Sequence, residues 1–260
     1  MVYSIVEKDA SVSLDEKTRQ YFDERATGYY KRNYERPHGR HGHNLALRRD
    51  ACLGLMPAEL QGTVLDLGCG PGAMTVPLVQ SGKMVVSVDL SREMVEEASR
   101  QLHTIGATPR VAVADATALP FADGSFSAVI TTGVLEYISD LQRVMSEIHR
   151  VLRPGGVVVA TMSLPRRLER AVMRTVARLR NAQAQAKQYI HTRKSFDVIV
   201  SSAGLKIELR TCCGFAPFPL DAVVPDSVPW IDHTFGSLLN KQALACDQAK
   251  TYIVRARRPY

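Results

Sequence analysis

Between residues 63 and 156, short β-branched runs alternate with stretches whose apolar residues recur three and four positions apart. Few architectures accept that alternation. A strand, an amphipathic helix and a second strand form a βαβ unit, and repeated units wind a parallel sheet with helices on both faces. Residues 64–67, 84–89, 110–113 and 128–131 read as four strands, each bounded by Gly, Asp or Pro. Residues 157–162 read as a fifth strand after the turn Pro154-Gly155-Gly156. Residues 73–81, 93–102 and 141–152 read as the helices between them. The pattern then weakens, leaving 206–210 and 251–255 as the remaining strand candidates. Three stretches fall outside the repeating units: a helical, tyrosine-bearing region at 14–60, a basic segment at 163–190 and a Pro- and Phe-containing segment at 214–250.

The turn after the first strand reads Asp66-Leu67-Gly68-Cys69-Gly70-Pro71-Gly72. A chain that bends sharply from strand to helix and lets a ligand approach its backbone needs residues without a Cβ. A second acid, Asp89, ends the next strand about 20 residues on, the spacing that lets a carboxylate bind both hydroxyls of a ribose. Asp66 reads either as a brace of the loop or as a direct contact, and Cys69 as a small apolar filler of the turn, not a nucleophile.

The chain's 260 residues are 45% hydrophobic, enough to fill a core and to exclude a disordered chain. No run of about 18 apolar residues appears and the N-terminus lacks a signal-peptide layout, so a cytoplasmic protein is expected. The five cysteines are odd in number and lack paired CxxC spacing, which predicts reduced thiols and no structural metal. The formal charge of +7 suits an anionic partner. It is concentrated at 166–194, where Leu168, Val172, Val176 and Leu179 form an apolar stripe and Arg170, Arg174 and Arg178 run along another side.

Residues 64–72, Asp89, Asp115-Ala116, the stretch 119–126 and Arg150-Val151-Leu152-Arg153-Pro154-Gly155-Gly156 together resemble the class I, Rossmann-like S-adenosylmethionine-dependent methyltransferases. Within that class they are most similar to the small-molecule and lipid group that includes quinone-biosynthesis methyltransferases. The resemblance implies an α/β fold: a doubly wound, seven-stranded, mostly parallel sheet whose last-added strand is antiparallel. Residues 1–60 would form an N-terminal helical lid, and 61–260 the core, with a substrate cap inserted at 163–190 and 214–250. It implies that Gly68, Cys69, Gly70 and Gly72 surround the methionine part of the cofactor, with Asp66 beside them. Asp89 would bind the ribose, and Leu90 and Met94 would pack near the adenine. Asp115 would accept the adenine amino group while Ala116 donates its backbone amide, and Thr132 and Gly133 would lie beside the sulfonium. Phe22-Asp23-x-x-Ala26-x-x-Tyr29 is similar to the group's lid helix, whose tyrosine covers the cofactor.

Transfer of a methyl group from a sulfonium is an in-line displacement, so alignment and exclusion of water outweigh reactive groups. A hydroxyl acceptor also asks for a base. Tyr137 and His191 are the residues assigned here, chosen from a field that includes Glu136, His233 and the run His38-Gly39-Arg40-His41-Gly42-His43. That run reads as a loop acting as a lid without metal. The expected acceptor is a small molecule, lipid-linked or phosphate-bearing forms included, methylated on oxygen ahead of carbon or nitrogen, with peripheral membrane contact open to 165–180. Two alternatives stand beside this. A tRNA or rRNA methyltransferase could use the same arginines, though Thr132-Gly133-Val134-Leu135-Glu136 lacks the Pro-Pro-aromatic signature of base amino-methyltransferases. A catalytically silent cofactor-binding partner protein would show binding without turnover.

Overall fold

A computed structural model describes residues 16–35, 39–164, 188–189, 191–214 and 249–260. In chain order these form α1 (Glu16–Asp23), a π-helical turn (Lys31–Glu35), α2 (Gly39–Gly54), β1 (Thr63–Leu67), α3 (Thr75–Gln80), β2 (Met84–Asp89), α4 (Arg92–Thr104), β3 (Val111–Val113), β4 (Phe126–Thr131), a 3-10 turn (Leu135–Tyr137), α5 (Leu141–Val151), β5 (Leu152–Ser163), α6 (Arg193–Ser202), β6 (Lys206–Cys213) and β7 (Thr251–Arg257). The strands make one seven-stranded sheet in the order β3-β2-β1-β4-β5-β7-β6. β1 to β5 pair in parallel, and β7 runs antiparallel to both β5 and β6. The order reverses between β1 and β4, so their C-terminal ends open a crevice at the switch point, where ligands of such sheets bind.

β1 and β4 are buried along their whole length, as strands covered on both faces must be. One face carries the larger core, in which Leu141, Val144, Met145, Ile148 and Val151 of α5 meet Phe196 and Val200 of α6. Each such side chain contributes ~1.5–3 kcal/mol on burial, which is why α5 keeps its apolar residues on one stripe. The other face packs Cys52 of α2 with Met74, Leu78, Val85 and Val159. Ser91 caps α4 by accepting from the Met94 amide at 3.1 Å, and Asp140 caps α5 by accepting from Arg143 at 2.9 Å.

Every predicted strand is present, and the differences lie at the ends. The helix expected to run through residue 152 stops at Val151, because Leu152 is extended and pairs with Phe126. β5 therefore begins five residues before the expected 157, and Gly155 and Gly156 exchange backbone hydrogen bonds with Arg258. The expected loop at the histidine run is a correction: from Gly39 onward it is the first turn of α2, while His38 lies outside the described residues. Cysteine chemistry is a second correction. Cys52, Cys69 and Cys213 are free thiols, but Cys212 is disulfide-bonded. Residues 165–187 and 215–248, which hold most of the expected cap with Arg170, Arg174, Arg178 and His233, lie outside the described residues. Among the described residues no helix is long and apolar enough to cross a membrane.

Candidate functional site

The crevice at the C-terminal ends of β1, β2 and β4 is a cleft of about 920 Å³, its open mouth included. Its floor is the turn after β1. The amides of Gly68 and Cys69 both donate to the Val88 carbonyl, at 2.8 and 3.0 Å, which folds the turn back against the end of β2. There Asp89 fastens it: Oδ2 accepts from the Gly70 amide at 2.8 Å and Oδ1 from the Ser91 amide at 2.9 Å. A carboxylate offers about four lone-pair positions, so both oxygens keep acceptor capacity toward the cleft. Burial pushes the Asp89 carboxyl above its ordinary pKa, while these amide hydrogen bonds hold it down.

The glycines of the turn do different work. A Cβ on Gly70, at φ +50°, would meet nothing within 4 Å, so the backbone there lies open for a ligand. A Cβ on Gly68, at φ +70°, would fall 2.2 Å from the Val134 side chain, so this position lets β1 and the loop after β4 approach closely. Gly72 faces Ala98 and Val76 rather than the cleft.

Leu90, Ser91, Met94, Ala114 and Ala116 line one end of the cleft as a largely apolar slot beside Asp89. Thr132 and Gly133 lie on the wall past β4, with the Gly133 amide donating to Thr161 Oγ1 at 2.9 Å. At the other end stand Phe22, Tyr29, Tyr34, Arg48 and Tyr137. Phe22 of α1 meets the Tyr137 ring edge-on at 5.1 Å, which brings α1 against the cleft wall. Gln188 donates to Tyr137 Oη at 3.2 Å. Burial pushes the Tyr137 phenol up to about 12 and moves the Tyr29 phenol upward too, so both are proton donors at neutral pH.

Of the residues assigned from sequence, Tyr29, Gly68, Cys69, Gly70, Asp89, Leu90, Met94, Ala116, Thr132, Gly133 and Tyr137 meet on this wall. Asp66, Gly72, Asp115 and His191 do not line it. Asp66 is a brace: its Oδ2 accepts from Thr75 Oγ1 at 2.6 Å, and Thr75 in turn shares a hydrogen bond of 2.8 Å with Ser87. Burial raises its pKa to about 7 against the pull of Thr75. Asp115 Oδ1 accepts from both the amide and the hydroxyl of Thr117, at 2.8 Å each, and so caps its own turn. His191 is held below the ordinary histidine pKa by burial, and its Nε2 finds no partner among the described residues. Arg48 and Tyr34 were missed because isolated basic and aromatic residues in helical segments carry no spacing signal. Among the described residues no group of three His, Cys, Asp or Glu could hold a metal ion.

Residues 65–160 match the family model described as a methyltransferase domain, and this segment of the chain is a class I, Rossmann-like methyltransferase domain. The chain is 37% identical over 121 residues to malonyl-[acyl-carrier protein] O-methyltransferase of Enterobacter lignolyticus, covering 46% of this chain and 47% of that one. It is 43% identical over 114 residues to demethylmenaquinone methyltransferase of Beutenbergia cavernae, covering 44% of this chain and 45% of the relative. The chain thus spans less than half the length of these relatives. Among solved structures, magnesium protoporphyrin IX methyltransferase from Synechocystis with bound S-adenosylhomocysteine superposes with a TM-score of 0.63 at 18% identity, over 94% of this chain and 100% of that one. That likeness shows the shared fold.

Proposed function

We propose that this chain transfers a methyl group from S-adenosylmethionine to a small-molecule acceptor, on oxygen ahead of carbon or nitrogen. The observation that carries the reading is Asp89: a half-buried carboxylate fastened by the Gly70 and Ser91 amides, with acceptor capacity left toward a cleft floored by an open glycine. The donor set fits the cofactor. Two side-by-side acceptors suit a ribose diol, the slot of Leu90, Met94, Ala114 and Ala116 suits a flat base, and Gly70 leaves room for a chain crossing the turn.

When bound, the cofactor supplies an electrophilic methyl group on a sulfonium. The protein's part is alignment and exclusion of water. Phe22 and Tyr137 close the mouth above Gly133, and the Tyr137 hydroxyl orients an acceptor oxygen by donating to it. With its pKa near 12, Tyr137 is a poor general base at neutral pH. An acceptor that arrives as an anion, such as a carboxylate or an acidic hydroxyl, needs no strong base, which supports the preference for oxygen. The relative named as an O-methyltransferase supports it too.

The test is transfer of label from methyl-labelled S-adenosylmethionine into cell extract, with small-molecule, lipid and nucleic-acid fractions counted apart. Label in a small-molecule or lipid fraction is expected. Label in RNA or DNA alone would replace this reading with a nucleic-acid methyltransferase, and cofactor binding with no transfer would favour a silent partner protein.

A further inference from the structure

Asp66 is a buried carboxyl whose only partners in the fold are neutral. Thr75 Oγ1 donates to its Oδ2 at 2.6 Å, and Ser87 Oγ lies 2.8 Å from Thr75 Oγ1, so hydroxyls stand in a row behind it. Among the described residues no cation stands within 4 Å of it. The groups that face it are Thr75 on α3, Ser87 and Asp89 on β2, Cys69 in the turn and Tyr34 of the π-helical turn, while β4 sets Ile130 opposite it in register. Asp89 is itself an acid, so it adds to the cost of ionising Asp66. A carboxylate in that company lacks a countercharge.

The chain places Asp66 behind the cleft wall. Leu67, Gly68, Cys69 and Gly70, which follow it, all line the cleft. Its charge reaches that wall: after burial, the larger cause, Asp66 helps to push up the Cys69 thiol and the Tyr34 phenol, and both residues line the cleft. With the ribose on Asp89 and the amino-acid chain crossing Gly70, the sulfur that joins those two parts lies above the turn that Asp66 braces from below. The sulfonium of the cofactor carries a positive charge there, and the thioether of the spent product carries none. Through several ångströms of protein, one such charge moves the titration of a carboxyl by about one to two pH units.

We propose that Asp66 is the countercharge for the sulfonium: it releases its proton as the charged cofactor binds, and so makes this chain prefer fresh cofactor to spent product. The inference rests on the cofactor reading above and adds a selectivity to it. In the step the carboxyl O–H breaks, the proton goes to solvent, and the carboxylate stays buried beneath the bound cation. Burial, helped by Asp89, sets the carboxyl of the empty site at about 7 against the pull of Thr75. A bound sulfonium lowers that value, so cofactor binding strengthens as pH rises toward 7 and levels off above it. The thioether has no such charge. Asp89 holds the ribose of both molecules, so its own titration cancels in their ratio.

The test is calorimetry without acceptor, with S-adenosylmethionine and S-adenosylhomocysteine titrated into wild type and Asp66→Asn between pH 5.5 and 7.0. Each titration is run in phosphate and in Bis-Tris, whose different heats of ionisation count the protons released. In wild type the ratio of the two affinities should rise about 3- to 10-fold in favour of S-adenosylmethionine across that range, with protons released on binding of that ligand alone. In Asp66→Asn the ratio should stay flat. Thr75→Val, which keeps the carboxyl and removes a hydroxyl that favours its charged form, serves if Asp66→Asn melts early, and it should move the rise to higher pH. A wild-type ratio that does not change with pH, a rise that survives in Asp66→Asn, or one that Thr75→Val leaves in place would overturn the proposal while the cofactor reading stands. If wild type binds neither molecule, the cofactor reading itself has failed.

Discussion

The two ends of the cleft are built from different materials. Around Asp89 main-chain amides do the positioning: those of Gly70 and Ser91 hold the carboxylate, and those of Gly68 and Cys69 hold the turn against Val88. Around Arg48 the wall is side chain, with Phe22, Tyr29 and Tyr34 brought from the N-terminal segments to meet Tyr137 after β4. Backbone geometry tolerates few residue types, so the first end is fixed by glycines and a short acid. The second end can be assembled from many combinations of long side chains.

Substitutions should divide along the same line. The largest effect is expected from Gly70→Val, which puts a β-branched residue at φ +50° and fills the open space above the turn. S-adenosylhomocysteine affinity should fall about 1000-fold, ~4 kcal/mol, measured by calorimetry; an affinity within tenfold of wild type would mean the cofactor does not cross this turn. Arg150 lies outside both ends, although it belongs to the same recognisable motif set. It donates to Glu147, Asp123 and the carbonyls of Phe121 and Leu119, tying the 119–124 loop to α5. Arg150→Ala should cost ~2 kcal/mol of stability in chemical denaturation while leaving cofactor affinity unchanged, and a selective loss of affinity would join this region to the site.

An effect that appears only on acidification concerns Asp66. Its folded pKa, about 7, lies above the ordinary carboxyl value of 3.8, so the folded state binds more protons between those values. Asp66 therefore favours folding more as pH falls through that window, and wild type should gain on Asp66→Asn by up to about 1.4 kcal/mol per pH unit between pH 7 and 4. A difference that stays flat, or that grows as pH rises, would show that the Asp66 carboxyl is not held in its neutral form by burial.

What was legible in the sequence follows from the same division. The sheet could be read because β1 and β4 are buried on both faces and so are dominated by apolar and β-branched residues. The Asp89 end could be read because a glycine turn followed by a distant acid is a spacing. Asp66 and Asp115 were harder to place: their side chains serve Thr75 and Thr117, and no spacing distinguishes a carboxylate that braces a turn from one that faces a ligand. The start of β5 at Leu152 depends on pairing with Phe126 and on Arg258 at the far end of the chain, contacts that no local pattern encodes. Arg48 reaches the cleft only through the missing side chain of Gly133, 85 positions away in the chain.

The central claim is that Asp89 holds the ribose of an S-adenosyl cofactor. It is tested most directly by titrating S-adenosylhomocysteine into wild type, Asp89→Ala and, as a control away from the cleft wall, His149→Ala. The account predicts a loss of about 100-fold or more for Asp89→Ala, from the hydrogen bonds a half-buried carboxylate makes to two hydroxyls, and no change for His149→Ala. Equal and small effects of the two substitutions would contradict it.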